Sequence, residues 1–299
     1  MHFGSLVAAV GSYLDARAHG GEWLVRIEDI DRPRERAGAA DQILRTLETL
    51  GLQWDGTVLR QSERTRAYAA ALANLSQRNL LHPCRCSRST LAALPENRDR
   101  DPAAADDLFH PPGCPIPPST VAVSAGEAWR LRVPPGGVAF DDRSLGAQLV
   151  DVARTVGNFV LRRRDGLFAY QLAVVVDDAA QGVTDVVRGC DLLASTARQV
   201  LLQEALGLPR VRHLHLPLAV DHRGRKLSKS GDAPAADRAT AAAQLVAVLG
   251  FLGQSPPAGL ARAQAREVLD WGLGHWRVDS FAGRTTGTVP LGEDAGTTG

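Results

Sequence analysis

Lysine is almost missing from this chain of 299 residues: two of its 34 basic side chains are lysines, Lys226 and Lys229, and both fall in Lys226-Leu227-Ser228-Lys229-Ser230. A drift toward arginine explains the scarcity but not why these two remain together. Lysine is a compact point charge on a flexible stem, suited to following a phosphate through a reaction, whereas arginine is a rigid planar fork. Net charge is nearly absent too, at +1, which leaves no general signature of nucleic-acid binding and confines any such surface to a local patch. No apolar run approaches the roughly 20 residues of a bilayer span, and Met1 is not followed by the succession that marks a signal peptide. The expected compartment is the cytosol. Of four cysteines, Cys84, Cys86 and Cys114 share one short region, which in a reducing compartment suggests metal ligands rather than a disulfide framework.

What remains is ordinary: 44% hydrophobic residues, enough for a full core in two domains or in one domain with an insertion. Leu6, Val10, Tyr13 and Leu14 recur at helical spacing, with Ser5 as the expected N-cap after the turn His2-Phe3-Gly4-Ser5. Trp23 to Ile27 reads as a strand, and Ile43, Leu44, Leu47 and Leu50 as a helix ended by Gly51. Alternating strand and helix predicts an α/β fold with a parallel sheet. In such a sheet a strand normally feeds the first helix, so the expectation is a truncated or misassigned start. From about Pro83 to Pro135 the chain turns rich in proline, alanine and aspartate and reads as an insertion. Strands are expected again at Phe159 to Arg163 and Phe168 to Val176 around an Asp165-Gly166 turn, at Val183 to Arg188 and at His213 to Leu218, with a helix from Leu192 to Leu206. The resulting division is 1–82 and 136–218 as halves of a catalytic domain, 83–135 inserted, 219–282 as lysine loop and helical region, and 283–299 as a disordered tail.

A His-x-Gly turn at a helix N-terminus offers backbone N–H groups, a positive helix end and an imidazole to a polyphosphate. Alone it marks a capped helix more often than a site, and a Lys-x-Ser-Lys-Ser loop alone is usually just surface. In this order, separated by an α/β domain, the two resemble the paired signatures of class I aminoacyl-tRNA synthetases. Arg26-Ile27-Glu28-Asp29-Ile30-Asp31, Gly166-Leu167-Phe168-Ala169-Tyr170-Gln171-Leu172-Ala173, Gly182-Val183-Thr184-Asp185-Val186-Val187-Arg188-Gly189 and His215-Leu216-Pro217-Leu218 resemble the glutamyl branch of that class. The histidine turn, the Cys84-Arg85-Cys86 insertion and the short C-terminus narrow the likeness to the glutamyl-Q tRNA(Asp) synthetase family, over roughly residues 1 to 280. A conventional glutamyl-tRNA synthetase carries an anticodon-binding region after the lysine loop, for which the 69 residues beyond Ser230 leave too little room.

The resemblance implies a class I Rossmann fold with an inserted zinc-binding subdomain and a small C-terminal helical region. It also implies ATP-dependent activation of glutamate and transfer of the glutamyl group to queuosine at the wobble position of tRNA(Asp), by a cytoplasmic monomer. Lys229 and His2 take the catalytic roles; His2, Gly4, Ser5, Lys226, Ser228 and Lys229 hold ATP, which comes with Mg²⁺. Glu28 receives the substrate ammonium, and Tyr170 and Arg188 complete the glutamate site. Taken singly, these three would read as a solvated carboxylate, a packed tyrosine and a surface ion pair. No general base for the transfer step stands out.

Cys84 and Cys86 with His110 and Cys114 give C-x-C followed by H-x3-C, a donor set suited to one structural zinc ion in a closed tetrahedral site. The family has tyrosine where His110 stands; His82 is an alternative fourth ligand. Cys190 reads as a small packed residue. In the family, a strand and an Ala-Pro-Ser-Pro-Thr/Ser-Gly segment bearing an arginine and a serine for glutamate precede the histidine turn, and the expectation is that they lie upstream of Met1. Rival readings are a truncated glutamyl-tRNA synthetase charging a 3′ end, a small-molecule adenylyltransferase of the same superfamily, and a zinc-dependent RNA-binding module.

Overall fold

Helix α1 (Phe3–Ala18) starts earlier than its sequence suggests, because His2 rather than Ser5 is the N-cap: its Nδ1 accepts the Ser5 N–H at 3.2 Å, and Nε2 lies 2.9 Å from Ser5 Oγ. The protein is described by a computed structural model covering residues 1–31, 37–100, 108–113, 126–225 and 239–289. Strand β1 is confined to Arg26–Ile27, since Trp23 turns its N–H to Asp55 Oδ2 at 2.8 Å and its indole N–H to Ser12 Oγ at 2.9 Å. Helix α2 (Ala39–Thr49) ends ahead of Gly51, whose φ of 77° suits glycine. Then come β2 (Leu59–Arg60), parallel to β1, and α3 (Thr65–Gln77).

The region expected as an insertion shares a small antiparallel sheet with residues on both sides of it. Strand β3 (Leu81–Cys84) leads to the short α4 (Arg88–Ala92); β4 (Ala128–Leu131) returns antiparallel to β3. After β5 (Val138–Asp142), β6 (Gly146–Val150) and α5 (Val152–Thr155), β7 (Val160–Arg162) adds antiparallel to β4, giving the order β3-β4-β7.

The expected strand from Phe168 to Val176 is instead mostly helix: Phe168 bridges Arg162, and α6 (Tyr170–Gln181) follows. Its run of three valines reads as a strand because β-branched residues favour one. The helix wins because Leu172, Ala173, Val174 and Val175 are all buried in the second hydrophobic cluster, and Gly182, at φ 67°, closes its C-terminus. Asp177 is wholly buried and accepts from Gln61 Nε2 at 3.0 Å, Arg64 Nε at 2.5 Å and Tyr68 Oη at 2.6 Å, tying α6 to α3. Burial and that carboxylate push the Tyr68 hydroxyl well above its ordinary pKa.

Strand β8 (Asp185–Gly189), α7 (Leu193–Leu206) and β9 (Arg212–Leu216) form a β-α-β unit, and the sheet runs β6-β5-β9-β8 with β5, β9 and β8 parallel. Pro217, lacking an N–H, separates β9 from β10 (Leu218–Val220). Helices α8 (Ala241–Phe251) and α9 (Ala265–His275) cover α1, burying Leu14, Leu245, Val248, Leu249, Val268 and Leu269 in one cluster; each such leucine contributes about 2 kcal/mol. The stretch from Gly283 carries no packing period, yet β11 (Thr286–Thr288) pairs parallel with β10. Among the described residues β8 pairs with β9 alone and β1 with β2 alone. A groove of about 580 Å³ lined by Arg26, Glu28, Asp185 and Val187 runs between them.

Candidate active site and metal cluster

The acidic motif sends its charges to different partners. Asp29 accepts from the Ser62 N–H at 2.9 Å and Oγ at 2.8 Å, and Asp31 pairs with Arg163 at 2.9 Å. Arg26 bonds Asp178 Oδ1 at 2.8 Å, Gln181 Oε1 at 3.0 Å and, more loosely, Glu28 Oε1 at 3.4 Å. The Glu28 side chain is 40% exposed and lines the groove. Loss of surrounding water raises its pKa, Arg26 opposing and Asp178 adding to the rise. The Asp178 pKa is raised for the same first reason, again against Arg26. Two carboxylates thus share one guanidinium and favour a further cation beside Glu28.

Arg188, on β8, is held differently. It is buried, and its partners among the described residues are all uncharged: His215 Nε2 at 3.2 Å from Nε, Thr196 Oγ1 at 2.8 Å and the Leu192 carbonyl at 3.4 Å from Nη2, and the Tyr170 hydroxyl at 3.4 Å from Nη1. A buried cation to which no carboxylate is bonded directly is costly, and a planar fork in that state is suited to a carboxylate ligand. Tyr170 opens α6, with a pKa raised by burial and by Glu28, against Arg188. Arg188 and Tyr170 are in contact, and Glu28 is near enough to act on both electrostatically, although the groove that Glu28 lines is bordered by neither of them. Asp178, Thr196, His215 and Asp142 also belong to this network; no spacing in the sequence marked them for it, although His215 opens a family motif.

The histidine turn sits at another corner. Phe3 packs edge-on against Phe251, ring centroids 5.6 Å apart. Gly287 of β11 lies so close that a methyl there would come within 2.7 Å of the Phe251 ring, and Gly287 is the register partner of Ala219 in β10. Strand β10 runs into a turn where Asp221 accepts from the Arg223 and Arg225 N–H groups at 2.8 and 2.9 Å. His2, Gly4 and Ser5 therefore share a corner with the root of the lysine segment. Lys226, Ser228 and Lys229 themselves lie outside the described residues.

Cys84, Cys86 and His110 are buried, with one donor atom from each within 4.8 Å of the others. Two thiolates about 2.3 Å from a tetrahedral zinc stand roughly 3.8 Å apart, so the set is compact enough for a metal. Burial drives the His110 pKa down to about 3, which keeps the imidazole neutral as ligation requires. His82 is not part of this cluster, although its ring centroid is 5.3 Å from that of His110. Its Nδ1 is 3.1 Å from the Pro83 carbonyl and its Nε2 3.0 Å from Asn158 Nδ2, so both nitrogens are engaged. Cys114 lies outside the described residues. Cys190 is half-buried, its thiol pushed up to about 11 by burial, and it stands apart from the cluster.

A parallel α/β sheet, with a buried arginine bonded by uncharged groups and a nearby carboxylate pair held by Arg26, fits an amino-acid-activating enzyme of the synthetase type. The chain belongs to the family described as tRNA synthetases class I (E and Q), catalytic domain, whose model matches residues 1–238. Among its relatives are glutamyl-Q tRNA(Asp) synthetases. That of Dechloromonas aromatica is 54% identical over 94% of this chain and 91% of its own length, and that of Pseudomonas aeruginosa 51% identical over 92% and 89%. Among solved structures, the glutamate-tRNA synthetase of Elizabethkingia anophelis shares the fold at a TM-score of 0.74 and 23% identity. That alignment takes in 96% of this chain and 65% of the Elizabethkingia one. No helix among the described residues is long and apolar enough to cross a membrane.

Proposed function

We propose that the protein activates glutamate with ATP and transfers the glutamyl group to queuosine in tRNA(Asp), acting as a monomer in the cytoplasm. The observation that carries the reading is Arg188, a buried guanidinium bonded by uncharged groups, Tyr170 among them, with Glu28 near enough to act on both electrostatically. That arrangement suits a ligand bearing an ammonium and a remote carboxylate, and the relatives named glutamyl-Q tRNA(Asp) synthetase match nearly the whole chain.

Glu28 takes the ammonium, and Arg188 with Tyr170 takes the side-chain carboxylate. The substrate's α-carboxylate attacks the α-phosphorus of ATP, the bond to the bridging oxygen breaks and pyrophosphate leaves. His2, Gly4 and Ser5 contribute N–H groups and a helix N-terminus on the nucleotide side, while Lys226, Ser228 and Lys229 close on the phosphates, Lys229 following the developing charge. Mg²⁺ accompanies ATP. In the second step a hydroxyl of queuosine attacks the activated carbonyl and AMP leaves; proximity carries much of this step because the acyl group is already activated. Cys84, Cys86, His110 and Cys114 would hold one zinc ion, which would serve to order the 83–135 subdomain.

The test is transfer of labelled glutamate to tRNA(Asp) with and without queuosine, beside glutamate-dependent ATP–pyrophosphate exchange without tRNA. Label that requires queuosine supports the proposal. Label on the 3′ end of tRNA(Glu) supports the synthetase alternative, and absence of any glutamate-dependent exchange removes both.

A further inference from the structure

The imidazole bonded to Arg188 is itself held through its other nitrogen. His215 is wholly buried, its Nδ1 lies 2.7 Å from Asp142 Oδ2, and its Nε2 faces Arg188 Nε at 3.2 Å. Asp142 is anchored in turn, its Oδ1 accepting the N–H groups of Ser144 at 3.0 Å and Leu145 at 2.9 Å, and its Oδ2 that of His215 at 3.1 Å. A carboxylate with such donors stays ionised and can only accept, so His215 must carry its proton on Nδ1. Nε2 is then a lone pair, the one state that can receive the Arg188 Nε–H. Thr196 Oγ1, also wholly buried, fixes Nη2 at 2.8 Å. Two of the three guanidinium nitrogens are therefore locked by an acceptor and a hydroxyl, and Nη1 is left with Tyr170 at 3.4 Å.

We infer that Asp142 and His215 are positioning residues that aim Arg188 at the side-chain carboxylate of the amino-acid substrate, a role that rests on the glutamate reading above. The interposed imidazole is the essential part. A carboxylate bonded directly to Arg188 would occupy its fork and cancel its charge, as Asp178 does for Arg26. Placed one ring further back, Asp142 supports the buried charge electrostatically while leaving the fork to the ligand. The substrate's own carboxylate becomes the counter-ion, which favours a dicarboxylic amino acid over its amide.

Two amide substitutions separate the ends of the relay. His215→Gln offers an oxygen near the Nε2 position and keeps the bond to Arg188; His215→Asn offers its amide near Nδ1, keeps Asp142 and abandons Arg188. In glutamate-dependent ATP–pyrophosphate exchange, loss of a bond to a charged group raises the glutamate KM of His215→Asn about ten-fold or more and leaves the ATP KM within about two-fold. His215→Gln stays within about three-fold of the wild type for both substrates. Thr196→Val, near-isosteric and lacking the Nη2 acceptor, raises the glutamate KM in the same selective way and serves where a His215 variant fails to fold. Equal glutamate KM values for the two His215 variants, or an ATP KM that rises in step with the glutamate KM, overturn the relay while leaving the activity standing. A wild-type chain without glutamate-dependent exchange overturns the activity reading itself.

Discussion

A single methyl group at Gly157 tests how the metal cluster is held to the rest of the molecule. Gly157 has φ 68° and closes α5 by donating its N–H to the Val152 carbonyl at 2.8 Å. Its neighbours clip the backbone of His110: the His110 N–H reaches the Val156 carbonyl at 2.9 Å, and the Asn158 N–H reaches the His110 carbonyl at 3.0 Å. A Cβ at 157 would stand 1.9 Å from His110 O and 2.8 Å from its carbonyl carbon. Both atoms belong to backbone, so the clip must open. Gly157→Ala then costs roughly 1–2 kcal/mol for a left-handed alanine and about 1 kcal/mol for each of the two hydrogen bonds, about 3–4 kcal/mol together. Gly182→Ala is the matched control, with φ 67° and nothing within 4 Å of the built methyl, so it carries only the backbone part, roughly 1–2 kcal/mol. Urea unfolding followed by tryptophan fluorescence gives both numbers, and zinc per chain after gel filtration reports the cluster. The expected result is Gly157→Ala less stable than Gly182→Ala by about 2 kcal/mol and depleted in zinc, with the control fully loaded. Equal stability of the two variants, or normal zinc in Gly157→Ala, refutes the clip.

Glu28→Gln removes the charge proposed to receive the ammonium, and the glutamate KM in pyrophosphate exchange is expected to rise by about ten-fold or more while the ATP KM holds; matching changes in both would speak against the assignment. Tyr68→Phe deletes one of three donors to the fully buried Asp177 carboxylate and costs about 1–3 kcal/mol in urea unfolding, with no selective effect on glutamate. His213 is buried, and burial, helped by Arg188 and His215, lowers its pKa to about 4. Its folded form is neutral while the unfolded chain takes up a proton near pH 6.5, so the stability present above that pH is lost as pH falls toward 4, about 2 kcal/mol of it by pH 5. Between pH 7.5 and 5, His213→Leu loses about 2 kcal/mol less than wild type; parallel stability profiles for the two chains would contradict this.

The fold was legible wherever one physical signal dominated. Helices α1 and α2 follow from apolar residues recurring at helical spacing, and β8 and β9 from short apolar runs bounded by turn residues. Helix α6 was misread because a helix buried on several sides loses its polar face, and with it the period that distinguishes it from a strand. Its two adjacent carboxylates were a usable clue. Asp177 and Asp178 reach different cations, Arg64 and Arg26, from positions about 100° apart on a helix, whereas in a strand they would face opposite ways. Strand β11 escaped notice because three short residues paired with β10 make no pattern of their own.

The site was legible in its residue types and illegible in how their charges are spent. Arg26 and Arg188 both stand in motifs, and nothing in either motif says which is consumed by the fold. Arg26 is paired with Asp178 and Glu28, groups 152 and 2 positions away in the chain, so it serves as local counter-ion for carboxylates in the cleft. Arg188 is surrounded by a hydroxyl pair, a carbonyl and an imidazole drawn from α6, β9 and the start of α7. That shell satisfies its N–H groups without neutralising it, a distinction that depends on the tautomer of His215 and hence on Asp142, 73 residues distant in the chain. Sequence patterns carry the identity of charged groups. Whether a charge remains available to a ligand is a property of contacts that only the folded chain brings together.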